Sequence, residues 1–279
     1  MRLFRPEISL AAVAAIFLGT MMAADVGPIA WDWLGVVAVA AVCFEAANNA
    51  TRRLFRDARL GDPLGEVSAA RPRAGITAAV LYAAALGIGF VIVTFREGGA
   101  VWLGGAGAVL TYFYHAPPMQ LSWRGLGPVA AGIGYGPLVV GGTFLVLHGD
   151  ISATAGYAAL PLGLLIAEYV LVSEFSSHHA ELAAGRQTLA ARIGHAKTSR
   201  VFAAVMLAAF VVTAILPLLP SGVDRGVWAG LVGLPPGLLA ARELPASPDD
   251  ATEITHAQSW TMLAFVLYAV GAGFGILFT

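Results

Sequence analysis

Nine apolar runs, near residues 8–28, 33–50, 74–95, 100–115, 126–148, 154–175, 198–219, 225–242 and 258–278, divide the chain. A helix needs about 20 apolar residues to cross a bilayer, and most of these runs reach or approach that length. Turn-forming and charged residues mark the joins: Asp25–Gly27, Arg71–Pro72, Glu97–Gly99, Pro117–Pro118, Gly149–Asp150, Pro220–Gly222 and Pro245–Pro248. Pro235–Pro236 is expected to kink or break the eighth run, because proline removes a helical donor and clashes with the preceding turn. The pattern predicts an all-α, polytopic membrane protein with nine transmembrane helices around a central cavity. It forms one domain, 1–279, with polar loops about 50–73, 115–125 and 176–197. The first run, led by Arg2 and Arg5, also has the outline of a signal peptide with small residues near Ala23. It is read as a span because a second apolar run follows at once.

Charge adds orientation. With the N-terminus inside and the spans alternating, only Arg96 and Arg225 of the 16 lysines and arginines fall outside, which predicts an N-in, C-out protein of the cytoplasmic membrane. The two long polar connections, after spans two and six, then share one side. Composition agrees: 58% of the 279 residues are hydrophobic and 12% charged, whereas soluble domains are about a quarter charged. A sizeable soluble domain is therefore excluded. The single Cys43 cannot form an internal disulfide, and the 33 glycines suit close helix packing in lipid.

Chemistry-bearing residues cluster in three places. Glu174, Ser177, His178 and Glu181 share one helical face at the end of span six, ahead of Gly185 and Arg186. That face suits a divalent cation, a phosphate held by Arg186, or a proton relay; a solvated helix end is the plain alternative. Asn49, Arg53 and Asp57 lie at i, i+4 and i+8, with Asp62 and Glu66 beyond. The arginines around them suit phosphate oxygens, or merely set topology against lipid headgroups. Between spans four and five, Tyr112–Phe113–Tyr114–His115 leads into Pro117–Pro118 and Gly125–Leu126–Gly127, a rigid aromatic loop. Glu45 and Glu168 are ionisable groups within spans, where such groups usually face the bundle interior. Glu168 is a candidate catalytic base.

These residues resemble the UbiA superfamily of intramembrane prenyltransferases, in its menaquinone-type branch. YHAPPMQLSWRGLGPVAAGIGYGPLVVGG resembles that family's loop and fifth helix, AAGRQTLAARIG the stretch after its second aspartate motif, and RLFRDARLGDPLGEVSAARP the stretch from its first aspartate motif to an Arg-Pro. The resemblance covers about residues 45–200 and implies a nine-helix fold. It implies transfer of a prenyl group from a polyprenyl diphosphate to an aromatic or other lipophilic acceptor, with Mg²⁺ bridging the diphosphate.

The aspartate motifs are thinned in this chain. Counting back from Gly185, the second motif falls on Ser177 and Glu181. The first places either Arg53 and Asp57, or Asp57 and Asp62, on its later acidic positions. The expected metal ligands are thus Asp57, Asp62 and Glu181, with Asp57, Glu168 and Glu181 catalytic. Asn49, Arg53, Arg71, Arg124 and Arg186 are expected at the diphosphate, and Tyr112 and Tyr114 at the allylic cation through their ring faces. The expected partners are an isoprenoid diphosphate, a lipophilic acceptor and membrane lipid, with no nucleic acid. A terpene cyclase and a non-catalytic lipid-binding or transport-accessory homologue are the alternatives. Acceptor, chain length and oligomeric state stay open.

Overall fold

The computed structural model describes residues 6–56, 66–176, 185–244 and 251–279, with side chains for 9–55, 72–176, 185–244 and 252–279. Among them all regular structure is helical. The helices are α1 (Pro6–Val26), α2 (Trp31–Arg56), α3 (Glu66–Phe95), α4 (Ala100–His115), α5 (Gly127–Ile133), α6 (Val139–His148) and α7 (Ala153–Ser176). There follow the short α8 (Leu189–Ile193), then α9 (His195–Ile215), α10 (Leu234–Glu243) and α11 (Ala251–Leu277). Among the described residues, seven helical segments are long and apolar enough to cross a membrane, α5 and α6 counting together across the wide turn Gly134–Leu138. The fourth predicted run, 100–115, is the 16-residue α4, and the eighth is a 3-10 stretch Arg225–Gly233 leading into α10. Pro235 and Pro236 mark that break from inside the first turn of α10, where proline is tolerated.

Two boundaries move. α2 continues to Arg56, beyond the predicted end near 50, so the polar run Asn48–Arg53 is helical and projects from a wall. α3 begins at Glu66 and carries Pro72 inside it, where Arg71–Pro72 reads as a join. The outer surface matches a lipid environment: Phe95 and Trp102 are 73% and 77% exposed, an arrangement water would penalise. This is a multi-pass membrane protein.

α7 is the central post. Its Leu162, Leu165, Val172 and Phe175 join Phe202 and Met206 of α9 and Phe265 and Tyr268 of α11 in one buried core. Backbones approach closely where glycines meet. A Cβ on Gly132 of α5 would sit 2.7 Å from the Gly163 carbonyl of α7. At the end away from the polar loops, Arg96 donates from Nε to Val146 O (2.7 Å) and from Nη2 to Leu147 O (2.8 Å). It thereby satisfies two terminal carbonyls of α6 and ties α3 to it.

Candidate active site

A cavity of about 400 Å³ lies inside the bundle, within the range of ligand pockets. Its walls are helical stripes. α2 contributes Val37, Ala40, Ala41, Phe44, Glu45, Asn48, Asn49 and Arg52, and α4 contributes positions from Ala100 through Gly104, Gly107 and Thr111 to Tyr114 and His115. Both sets follow the three-and-four spacing of one helix face. α7 contributes Ile166, Tyr169, Val170, Ser173, Glu174 and Ser176, and α11 adds Gln258.

The two ends differ chemically. Arg52, Asn48, Asn49, Glu174 and Arg186 gather at one end, while Val37, Ile92 and Val146 close the other as a small buried cluster. Several contacts shape the polar end. Glu174, only 6% exposed, accepts a bond at Oε2 from the Leu189 amide (3.2 Å), one of the orphan donors opening α8. Thr188 caps the same helix, accepting from Ala191 N at 3.3 Å. Arg186 donates from Nη2 to Ser122 O (2.8 Å) and lies over the Trp123 ring at 5.5 Å. Gln187 N donates to Trp123 O (3.1 Å). The aromatic loop and the segment opening at Gly185 are therefore one docked unit. Gly125, at φ +74, permits this docking: a Cβ there would meet Leu189 N at 3.2 Å. His115 pairs through Nδ1 with Ser122 Oγ (3.0 Å), and its ring meets Tyr114 edge-on at 4.7 Å.

Of the expected residues, Asn49, Tyr114 and Arg186 line the cavity together. Arg53 does not; successive helical residues point about 100° apart, and the stripe passes through Arg52 instead. Glu168 is 2% exposed, but it is absent from the lining, since the α7 stripe runs through Tyr169 and Ser173. Its Oε2 has no hydrogen-bond partner among the described residues. Tyr112 is 43% exposed and meets Tyr82 and Phe113 edge-on, away from the lining. Arg124 is exposed and turns back onto its own loop, donating to Pro118 O at 2.9 Å. Asp57, Asp62 and Glu181 lie outside the described residues, as do Ser177, His178 and the Arg71 side chain.

Sequence reasoning gave no individual role to Arg52 or His115, though both lie in runs it singled out, and it passed over Tyr169 and Gln258. The α2 stripe that carries Arg52 was detectable, because its apolar members repeat at helical spacing back to Val37. Gln258 and Tyr169 come from helices far apart in the chain, and nothing local signals their meeting.

The described residues do not by themselves fit a divalent metal. No group of three His, Cys, Asp or Glu side chains converges among them. The polar end offers guanidinium groups, amides and one carboxylate that already serves α8.

The profile of the UbiA prenyltransferase family matches residues 12–263. A 1,4-dihydroxy-2-naphthoate octaprenyltransferase of Mycobacterium leprae (strain TN) is 28% identical across 95% of this chain and 92% of the relative. A UbiA prenyltransferase domain-containing protein 1 of Dictyostelium discoideum is 25% identical across 74% of this chain and 67% of its own length. In fold, the chain is similar to a UbiA homolog from Archaeoglobus fulgidus bound to DMAPP and Mg2+, with a TM-score of 0.67 and 16% identity over 99% of this chain and 98% of that one.

Proposed function

Because this chain belongs to the UbiA prenyltransferase family, we propose that it is an intramembrane prenyltransferase moving a prenyl group from an isoprenoid diphosphate to an aromatic or other lipophilic acceptor. The carrying observation is the polarity of the cavity, with Arg52, Asn49 and Arg186 at one end and mostly apolar walls below. A diphosphate is strongly anionic, and an isoprenoid tail carries no polar group. A ligand with one at each end matches the gradient. Arginine forks bind phosphate oxygens in two-pronged fashion and keep their charge.

In this reading Arg52 and Arg186 stabilise the departing pyrophosphate as the bond to the allylic carbon breaks. The Tyr114 ring faces the cation that results. The acceptor then attacks and loses a proton. Mg²⁺, held by Asp57, Asp62 and Glu181, would add further charge neutralisation; no step here depends on it. The protein works in the cytoplasmic membrane with the polar end towards the cytoplasm, as the arginine and lysine distribution argues.

The test is pyrophosphate release from dimethylallyl, geranyl and longer allylic diphosphates, with Mg²⁺ and with a chelator. Wild-type protein is expected to release pyrophosphate, and Arg186→Ala to lose about tenfold or more of the rate, since a charge-assisted bond is removed. No release from any substrate would overturn the reading. Release that needs no acceptor and yields a cyclised product would favour the terpene cyclase.

A further inference from the structure

The outer face of α9 changes character along its length. Lys197, Arg200, Ala204, Leu207, Val211 and Ile215 are all exposed. Their three- and four-residue spacing keeps them within about 80° of one another round the helix. Thr198, Phe202, Met206 and Ala209 are buried on the opposite side. The stripe is apolar from Ala204 onward, with Leu207 53% and Val211 43% exposed, as suits a surface against acyl chains. Its two positions nearest the polar loops are cations.

The lengths fit one leaflet. Residues 204–215 span about 16 Å at 1.5 Å per residue, and half of a bilayer's hydrocarbon core is about 15 Å. Arg200 lies about one turn beyond Ala204 and Lys197 about two, which sets both at the level of lipid phosphates, with their stems over the apolar stripe. A third cation, Arg192, is exposed on α8 across the turn at Gly194 (φ +82). Its Nε donates to Gln187 O at 3.1 Å, so it is anchored to the segment docked on Trp123. None of the three is in an ion pair with a described residue. Cations at a membrane edge also set topology, but topology places no demand on which side of a helix they occupy. Lys197 and Arg200 continue the lipid-facing stripe.

We propose that Arg192, Lys197 and Arg200 seat the phosphate of an anionic phospholipid whose acyl chain lies along residues 204–215. The chemistry selects that class. Guanidinium and ammonium groups bind phosphate oxygens through charge-assisted hydrogen bonds. A zwitterionic headgroup brings its own ammonium, which three cations repel, whereas a glycerol headgroup brings none. A soluble phosphate satisfies the cations and leaves the apolar stripe unused. The site is separate from the cavity, to whose walls α9 contributes nothing among the described residues, and it does not rest on the proposed reaction.

The test counts phosphatidylglycerol retained by the full-length protein in detergent, by native mass spectrometry, with equimolar phosphatidylcholine competing. Wild type is expected to prefer phosphatidylglycerol. Each cation near a bilayer surface contributes about fivefold in affinity for anionic lipid. Lys197→Gln combined with Arg200→Gln should therefore cut the preference roughly 25-fold, and Arg200→Lys should keep most of it. Both positions are exposed, so the fold does not depend on them. Arg73→Gln removes an exposed cation from the same end of α3 and is the control, with an expected change within about twofold. An equal loss in Arg73→Gln would reduce the effect to net charge and sink the site, as would a wild type without preference. Glycerol 3-phosphate separates the two sources of phosphate. Displacement of the lipid by equal concentrations of it would make the ligand a soluble phosphate and overturn the lipid assignment; failure to displace supports it.

Discussion

Single residues here derive their roles from what lies about 100° round the helix from them. Arg52 and Arg53 are neighbours of the same chemistry, and only Arg52 lines the cavity. Glu168 and Tyr169 differ in the same way. At the far end of the molecule, Asp224 is placed by hydrogen bonds. Its Oδ1 accepts from Thr279 Oγ1 (2.5 Å) and from Gly226 N (2.6 Å). The Thr279 hydroxyl first, and then the Gly226 amide, hold this carboxyl below the ordinary aspartate value of 3.8. A value depressed by folding means stability that is fully present above the ordinary value and lost as pH falls through the folded one. The melting temperature should therefore decline on acidification from about pH 5 to about pH 3, and Asp224→Asn should flatten part of that decline. The effect is small, because the group is largely in water, and it is read as the difference between two titrations. An Asn variant with the same acid profile as wild type would remove Asp224 from the account.

Elements are held together by close backbone contact where glycines face each other, and by side-chain caps where loops dock. Gly226 of the 3-10 stretch and Gly275 of α11 touch backbone to backbone; a Cβ on Gly275 would clash with the Gly226 carbonyl. Since neither backbone can yield without moving its helix, Gly275→Ala should destabilise by about 1–3 kcal/mol, the usual penalty for overpacking. Thermal unfolding in detergent checks this, and an unchanged midpoint would show that the pair separates freely. At this scale the sequence was legible where periodicity and punctuation agreed. The fourth apolar run, the break at Pro235–Pro236 and the turn at Gly149 appear as read. The end of α2 was misplaced because hydropathy stops near Ala50, whereas helical hydrogen bonding continues through the polar Thr51–Arg56. The docking of Arg186 and Gln187 onto Ser122 and Trp123 was not legible at all. It joins residues about sixty positions apart through backbone carbonyls, which have no residue-type signature.

The whole bundle converts a membrane-spanning architecture into a cavity with one charged end and a mostly apolar remainder. That remainder is asymmetric. Its floor is shut by Val37, Ile92 and Val146 from three helices, and the Arg96 bonds to α6 brace the same end. Its side between α3 and α4 is lined by Gly89, Gly104 and Gly107, where an added Cβ would meet nothing within 4 Å. A tail longer than the space above the floor therefore has its room along α4 and not beyond Val146. Gly104→Leu puts a branched side chain into that room without disturbing a packed contact. Stability should stay within about 0.5 kcal/mol, as for other substitutions that touch nothing. Turnover should become selective. Dimethylallyl diphosphate, which does not extend to Gly104, should react as in wild type. Long polyprenyl diphosphates should lose roughly tenfold in kcat/KM, the equivalent of about two methylenes no longer buried. Ile92→Ala tests the opposite wall by opening the floor, and the ratio of long-chain to short-chain kcat/KM should rise there while it falls in Gly104→Leu. If both variants scale every chain length by one common factor, the tail does not lie along α4 and the apolar half of the cavity has another occupant.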